Sequence, residues 1–91
     1  MLNMNWDTIG YITSSKIRFR VLTYLNKKKA TPTKISKDLD LNITSVSRCL
    51  RELLNKELII SLTKTLKKDK YYDISDKGKE ILNDINKETL L

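Results

Sequence analysis

Apolar residues recur along this chain with two different periods. Over residues 14–57 they return every three or four positions, the spacing of helices with one buried stripe. The most informative stretch is NITSVSRCLRELLNKELII, residues 42–60, whose helical part runs to about residue 57. With successive residues set about 100° apart, Ile43, Val46, Leu50, Leu53 and Leu54 fall on one side of this helix, and Thr44, Ser47, Arg48, Arg51 and Asn55 on the other. Asn42 suits its N-cap, because its side chain can accept a hydrogen bond from an amide of the first turn. Upstream, Ser14 and Ser15 offer caps for a helix to about residue 26, with Ile17, Val21, Tyr24 and Leu25 in register and Phe19 and Leu22 widening the buried side. Lys27, Lys28 and Lys29 follow, suited to a helix C-terminus where the dipole favours cations; phosphate binding is the alternative role for them. A short helix over 5–12 would set Trp6, Ile9 and either Tyr11 or Ile12 against the body. Trp6 reads as a core plug or a dimer contact rather than a ligand platform.

Thr31-Pro32 is a sharp helix start, a hydroxyl at the N-cap and proline at the first helical position. The helix it opens runs to residue 38 or 39 and buries Ile35 and Leu39, and a tight connection then leads into the helix capped by Asn42. Two helices across so short a turn make a helix-turn-helix, here without the common glycine in the turn. From Ile59 the period drops to two: Ile60 and Leu62 alternate with Ser61 and Thr63, then Tyr72 and Ile74 with Tyr71 and Asp73. This predicts a β-hairpin whose tip holds Lys64, Lys67, Lys68 and Lys70, with Leu66 an apolar exception. On its own the tip would be a solubilising loop; beside a helix-turn-helix it reads as a basic wing that reaches DNA. Ser75 caps a final helix carrying Ile81, Leu82 and Ile85, extended by Leu90 and Leu91, whose stripe either packs back on the domain or supports a dimer.

The polar face of the 42–57 helix is unlike the Glu/Lys mixture of an ordinary solvated helix. Small hydroxyls allow close approach to another surface, and arginines can pair bidentately with guanine edges or with phosphate. Only Glu52, at the margin, is acidic. Eighteen Lys and Arg against eleven Asp and Glu leave a net charge of +7, which favours a polyanionic partner. The chain has no histidine and a single cysteine, Cys49. A zinc site, a histidine-based catalytic constellation and an internal disulfide are therefore not expected, so no enzyme, cofactor or metal is predicted, and a cytoplasmic setting is. Cys49 reads as a small packing residue, with a redox switch as the alternative. No run approaches the roughly 18 apolar residues of a membrane span, and the first ten residues do not read as a signal peptide.

The segments SSKIRFRVLTYL, TPTKISKDLDLNITSVSRCLRELLNKELI and YYDISDKGKEIL together resemble the winged-helix regulators of the ArsR/MarR type, especially the short ones found in archaea. The most specific part is Ser45-Val46-Ser47-Arg48 followed by Leu50-Arg51-Glu52-Leu53. The resemblance implies one α+β domain over 1–91, a mostly helical winged helix-turn-helix with the helix-turn-helix over about 31–57, the wing over about 59–74 and flanking N- and C-terminal helices. It implies sequence-specific binding of double-stranded DNA as a homodimer, usually to repress transcription. Residues matching Thr44, Ser45, Ser47 and Arg48 would enter the major groove, joined by Arg51 on the same face. Thr31, Thr33 and Lys34 would meet phosphates, as would Lys64, Lys67, Lys68 and Lys70 on the wing. Two departures stand out. Glu57 occupies the place where the family usually has a glycine in a left-handed helix stop; either this non-glycine residue adopts that conformation at a cost of about 1 kcal/mol, or the helix ends differently. The paired cysteines, histidines or carboxylates of metal-sensing members are missing. The competing reading is a winged-helix module that docks on another protein without touching DNA.

Overall fold

A computed structural model describes residues 6–62 and 70–89. In chain order these form α1 (Trp6–Thr13), α2 (Lys16–Lys27), α3 (Pro32–Leu39), α4 (Ile43–Asn55), β1 (Ile59–Ser61), β2 (Tyr72–Ile74) and α5 (Asp76–Thr89). This is a mostly helical α+β winged helix-turn-helix, with α3 and α4 as the two helices of the motif and β1–β2 as the legs of the wing.

The predicted caps form. Oxygens of the Ser15, Thr31 and Asn42 side chains accept hydrogen bonds from the amides of Arg18 at 3.3 Å, Lys34 at 3.2 Å and Thr44 at 2.8 Å. Ser75 closes the start of α5 twice over: its Oγ accepts from the Gly78 amide at 3.0 Å and its hydroxyl donates to the Glu57 carbonyl at 2.7 Å. Both helices of the motif end without glycine. Asp40 sits at φ 54° and Glu57 at φ 61°. After α3, the Leu41 amide reaches the Ser36 carbonyl at 2.9 Å and the Asp40 amide that of Lys37 at 3.3 Å. After α4, the Leu58 amide reaches the Leu53 carbonyl at 3.0 Å and the Glu57 amide that of Leu54 at 2.9 Å. These paired bonds are Schellman stops, in which a left-handed residue lets the next amides turn back onto the last helical carbonyls. Aspartate tolerates that conformation better than most residues, which is how the α3–α4 turn forms without glycine.

The core is one cluster. Val21, Leu22 and Leu25 of α2 meet Ile35 of α3 and Val46, Cys49, Leu50 and Leu53 of α4, while α1 contributes Ile9 and Ile12, and α5 contributes Ile81, Leu82 and Ile85. The stripe of α5 thus packs on its own domain, against α1 and α2. Gly78 lets the start of α5 close against the end of β2 and the turn after α4, since a Cβ there would lie 2.3 Å from the Leu58 carbonyl oxygen and 2.7 Å from Ile74 Cγ1.

Three expectations are corrected. Trp6 is 50% exposed, which overturns its reading as a core plug but not as a dimer contact; on so short a helix the buried stripe is set by Ile9 and Ile12, and Trp6 lies about a quarter turn round the axis from it. Ile43 is 45% exposed, because the core beneath α4 begins only at Val46. In β1 the buried residue is Ile59 and Ile60 is 45% exposed, so the strand's inward set is offset by one position from the alternation of Ile60 and Leu62. The hairpin register pairs Ile59 with Ile74, Ile60 with Asp73 and Ser61 with Tyr72. Ala30 adds a fourth pairing, on the far side of β2, exchanging backbone hydrogen bonds with Tyr72 at 3.0 and 2.9 Å. This bridge ties the segment before α3 to the wing.

Candidate nucleic-acid interface

Burial of Val46, Cys49, Leu50 and Leu53 fixes the rotation of α4 about its axis and turns Thr44, Ser47, Arg48, Arg51 and Asn55 outward, all exposed. Short hydroxyl side chains occupy the first half of that row and guanidinium groups the second. Ser45 stands apart from it. Half-buried, it lines a depression of about 190 Å³ shared with Ser15, Arg18, Arg48 and Glu52, on the flank toward α2. Arg51 and Ser47 line a second concavity of about 240 Å³ with Pro32, Lys70 and Tyr72. That concavity brings the start of α3, the outer face of α4 and the second leg of the wing together. Lys64, Lys67 and Lys68, with Leu66, lie outside the described residues.

At the start of α3, Thr31 Oγ accepts from the Lys34 amide and so keeps its own O–H available as a donor. Thr33 and Lys34 are exposed. The Lys34 ammonium is already engaged one turn along, 3.2 Å from Asp38 Oδ1. Asp38 also accepts from the Tyr24 hydroxyl at 2.5 Å, and Lys28 Nζ lies 3.9 Å from it. The Tyr24 hydrogen bond, followed by that from Lys34, holds the Asp38 carboxyl below its ordinary range. Burial, reinforced by Asp38, pushes the Tyr24 phenol up to about 12.

A residue that the sequence pattern does not single out holds the motif in place. Arg18 of α2 donates from Nε to Glu52 Oε1 at 3.2 Å and from a terminal nitrogen to the Tyr11 carbonyl at 3.0 Å, while its guanidinium stacks 3.9 Å from the centre of the Tyr11 ring. One side chain thereby joins α1, α2 and α4. It also offsets the carboxylate at the margin of α4's polar face. Thirty-four positions separate Arg18 from Glu52, so no local pattern could reveal the pair. Arg20 serves a related purpose by donating to the Leu39 carbonyl at 2.9 Å, at the end of α3.

Cys49 lies on the buried side of α4, 3% exposed. Burial, with a smaller contribution from Glu52 and against the opposing charge of Arg18, pushes its thiol up to about 12, far from the thiolate character of a reactive cysteine. Among the described residues no group of three or more His, Cys, Asp or Glu side chains could hold a metal ion, and no helix is long and apolar enough to cross a membrane.

The sequence matches the family model for winged helix-turn-helix domains over residues 13–90. This chain belongs to that family. Solved structures with the same winged helix-turn-helix fold include a MepR variant of S. aureus bound to an oligodeoxyribonucleotide (TM-score 0.76, 20% identity, 91% of this chain and 64% of that one). RV1404 from Mycobacterium tuberculosis (TM-score 0.75, 18% identity, 89% and 58%) and the adhesin competence repressor AdcR from Streptococcus pyogenes (TM-score 0.71, 19% identity, 84% and 60%) are similarly alike. This winged helix-turn-helix chain therefore spans about three fifths of the length of these three proteins, and at such identities the likeness is one of fold. No curated protein matches the sequence.

Proposed function

We propose that this winged helix-turn-helix protein is a sequence-specific, duplex-DNA-binding transcriptional regulator that represses as a cytoplasmic homodimer and catalyses no reaction. The observation that carries the reading is the exposed row Thr44, Ser47, Arg48 and Arg51 on a helix whose opposite face is locked into the core. Thr44, Ser45, Ser47, Arg48 and Arg51 meet base edges, with Ser45 reaching them from the flank of α4. Thr31, Thr33, Lys34, Lys64, Lys67, Lys68 and Lys70 meet phosphates, a division in which the phosphate contacts set register and affinity and the base contacts set sequence. A net charge of +7 supports the same partner. So does the fold's likeness to a MepR variant bound to an oligodeoxyribonucleotide and to a protein named as a repressor. In the dimer, two copies of α4 enter successive major grooves about 34 Å apart and occlude a promoter. No cofactor or metal takes part.

Titration of a random duplex at low salt tests the DNA reading, and selection of bound sequences from a random pool tests its specificity. Retardation at micromolar protein, a palindromic consensus and a dimer by light scattering are expected. No retardation would favour docking on another protein instead. A monomer on a non-palindromic site would remove the dimer while leaving DNA binding intact.

A further inference from the structure

We propose that Ile43 reads thymine, its side chain making apolar contact with the C5 methyl group of one thymine in the major groove. The proposal rests on the DNA-binding reading above and adds to it a residue that the polarity of α4 alone would assign to the core. Ile43 lies in line with the apolar stripe of α4, yet Val46, Leu50 and Leu53 are 0–2% exposed and Ile43 is 45% exposed. It is the first residue of the helix, directly after the Asn42 cap. Its neighbours one and four positions on, Thr44 and Ser47, are themselves exposed on the outer row. The leading residues of a recognition helix are the ones that approach base edges.

Single exposed apolar side chains are common and usually need no explanation. Two features set this one apart. The other large apolar side chains exposed among the described residues, Trp6, Ile60 and Tyr71, belong to α1 and the wing, so α4 offers no apolar run of its own for a protein partner. The rest of its outer row consists of hydroxyls, an amide and guanidinium groups, which match the donor and acceptor patterns of bases and the charge of phosphate. These hydroxyl, amide and guanidinium groups do not distinguish thymine by its methyl group, although the γ-methyl of Thr44 can touch it. An aliphatic side chain does, because only thymine presents a methyl group in the major groove of unmodified DNA.

The test uses a duplex selected from a random pool and the same duplex with deoxyuridine replacing each thymidine in turn. At one thymidine per half-site the loss of the methyl should weaken binding by about fourfold, corresponding to ~0.8 kcal/mol for one buried carbon. Ile43→Ala should bind the parent duplex more weakly and be indifferent to that replacement, whereas Ile43→Leu should stay sensitive. A thermal melt of each variant checks that the fold is intact. Wild-type protein that tolerates every deoxyuridine, or an Ile43→Ala variant as sensitive as wild type, would overturn the assignment while Arg48-dependent selection left the DNA-binding reading standing. If no duplex is selected at all, that reading falls and the role of Ile43 falls with it.

Discussion

Glu57 ends α4 at φ 61°, a conformation that crowds the Cβ of any residue but glycine. Its place is held by the Schellman bonds on either side and by its carbonyl, which accepts from Ser75. Replacing it should relieve strain without breaking a side-chain contact that the fold uses. Glu57→Gly is therefore expected to raise stability by about 1 kcal/mol, read as a later midpoint in urea unfolding at unchanged slope; an unchanged or earlier midpoint would mean that the added freedom of the unfolded chain outweighs the relief. Gly78 is the opposite case: its φ is unremarkable, and what demands glycine is the 2.3 Å approach of the Leu58 carbonyl to where a Cβ would stand. Cys49 shows how environment decides the role of a residue. Buried, with its thiol pushed up to about 12, it is a packing group.

Between elements, Tyr24 and Asp38 clamp α2 to α3, with Lys34 and Lys28 gathered round the carboxylate. The two groups make stability depend on pH at opposite ends of the range. The Tyr24 phenol is raised in the fold from 10.0 to about 12, so its contribution is complete below pH 10 and is lost as pH rises from there toward 12. The Asp38 carboxyl is depressed, so its contribution is present above its ordinary value of 3.8 and is lost as pH falls through the lower folded value. Tyr24→Phe should flatten both limbs of a plot of melting temperature against pH. Limbs unchanged in that variant would place the dependence elsewhere. Arg18 is the second clamp, and it acts on charge as well as position. Removing it leaves the Glu52 carboxylate uncompensated at the margin of the polar face of α4. Arg18→Ala should weaken duplex binding, most strongly at low salt, and adding Glu52→Gln should restore much of the loss. Restoration is the informative outcome, since a merely loosened α1 would not respond to Glu52.

At the scale of the whole molecule, three surfaces converge: the outer face of α4, the start of α3 and the second leg of the wing, where Arg51 and Lys70 line one concavity. Base contacts and phosphate contacts should separate in titrations. Arg48→Ala is expected to cost about 1–3 kcal/mol on a selected duplex and much less on random DNA. Lys70→Ala should weaken both alike and lower the slope of log affinity against log salt by about one. Equal losses on both duplexes in both variants would refute the division of roles.

Much of this architecture was legible in the chain because it rests on local rules. Helix periods, the caps at Ser15, Thr31, Asn42 and Ser75, and the change of period at Ile59 all depend on residues within a turn or two of each other, so they determined the order of elements and the polar face of α4. The resemblance marked Glu57 as the place of a left-handed stop but left open whether the helix ends differently there; the structure settles it at φ 61°. Tertiary structure alone decided where the core ends. A periodic stripe says which side of a helix is apolar but not how far the neighbouring elements extend beneath it, and so Ile43 and Trp6 emerge at the surface while β1 turns Ile59 inward. It alone decided the partners made across long separations as well, Arg18 with Glu52 and Tyr24 with Asp38, and the bridge from Ala30 to Tyr72. Such pairs depend on how the elements stack, which periodicity along one element does not encode.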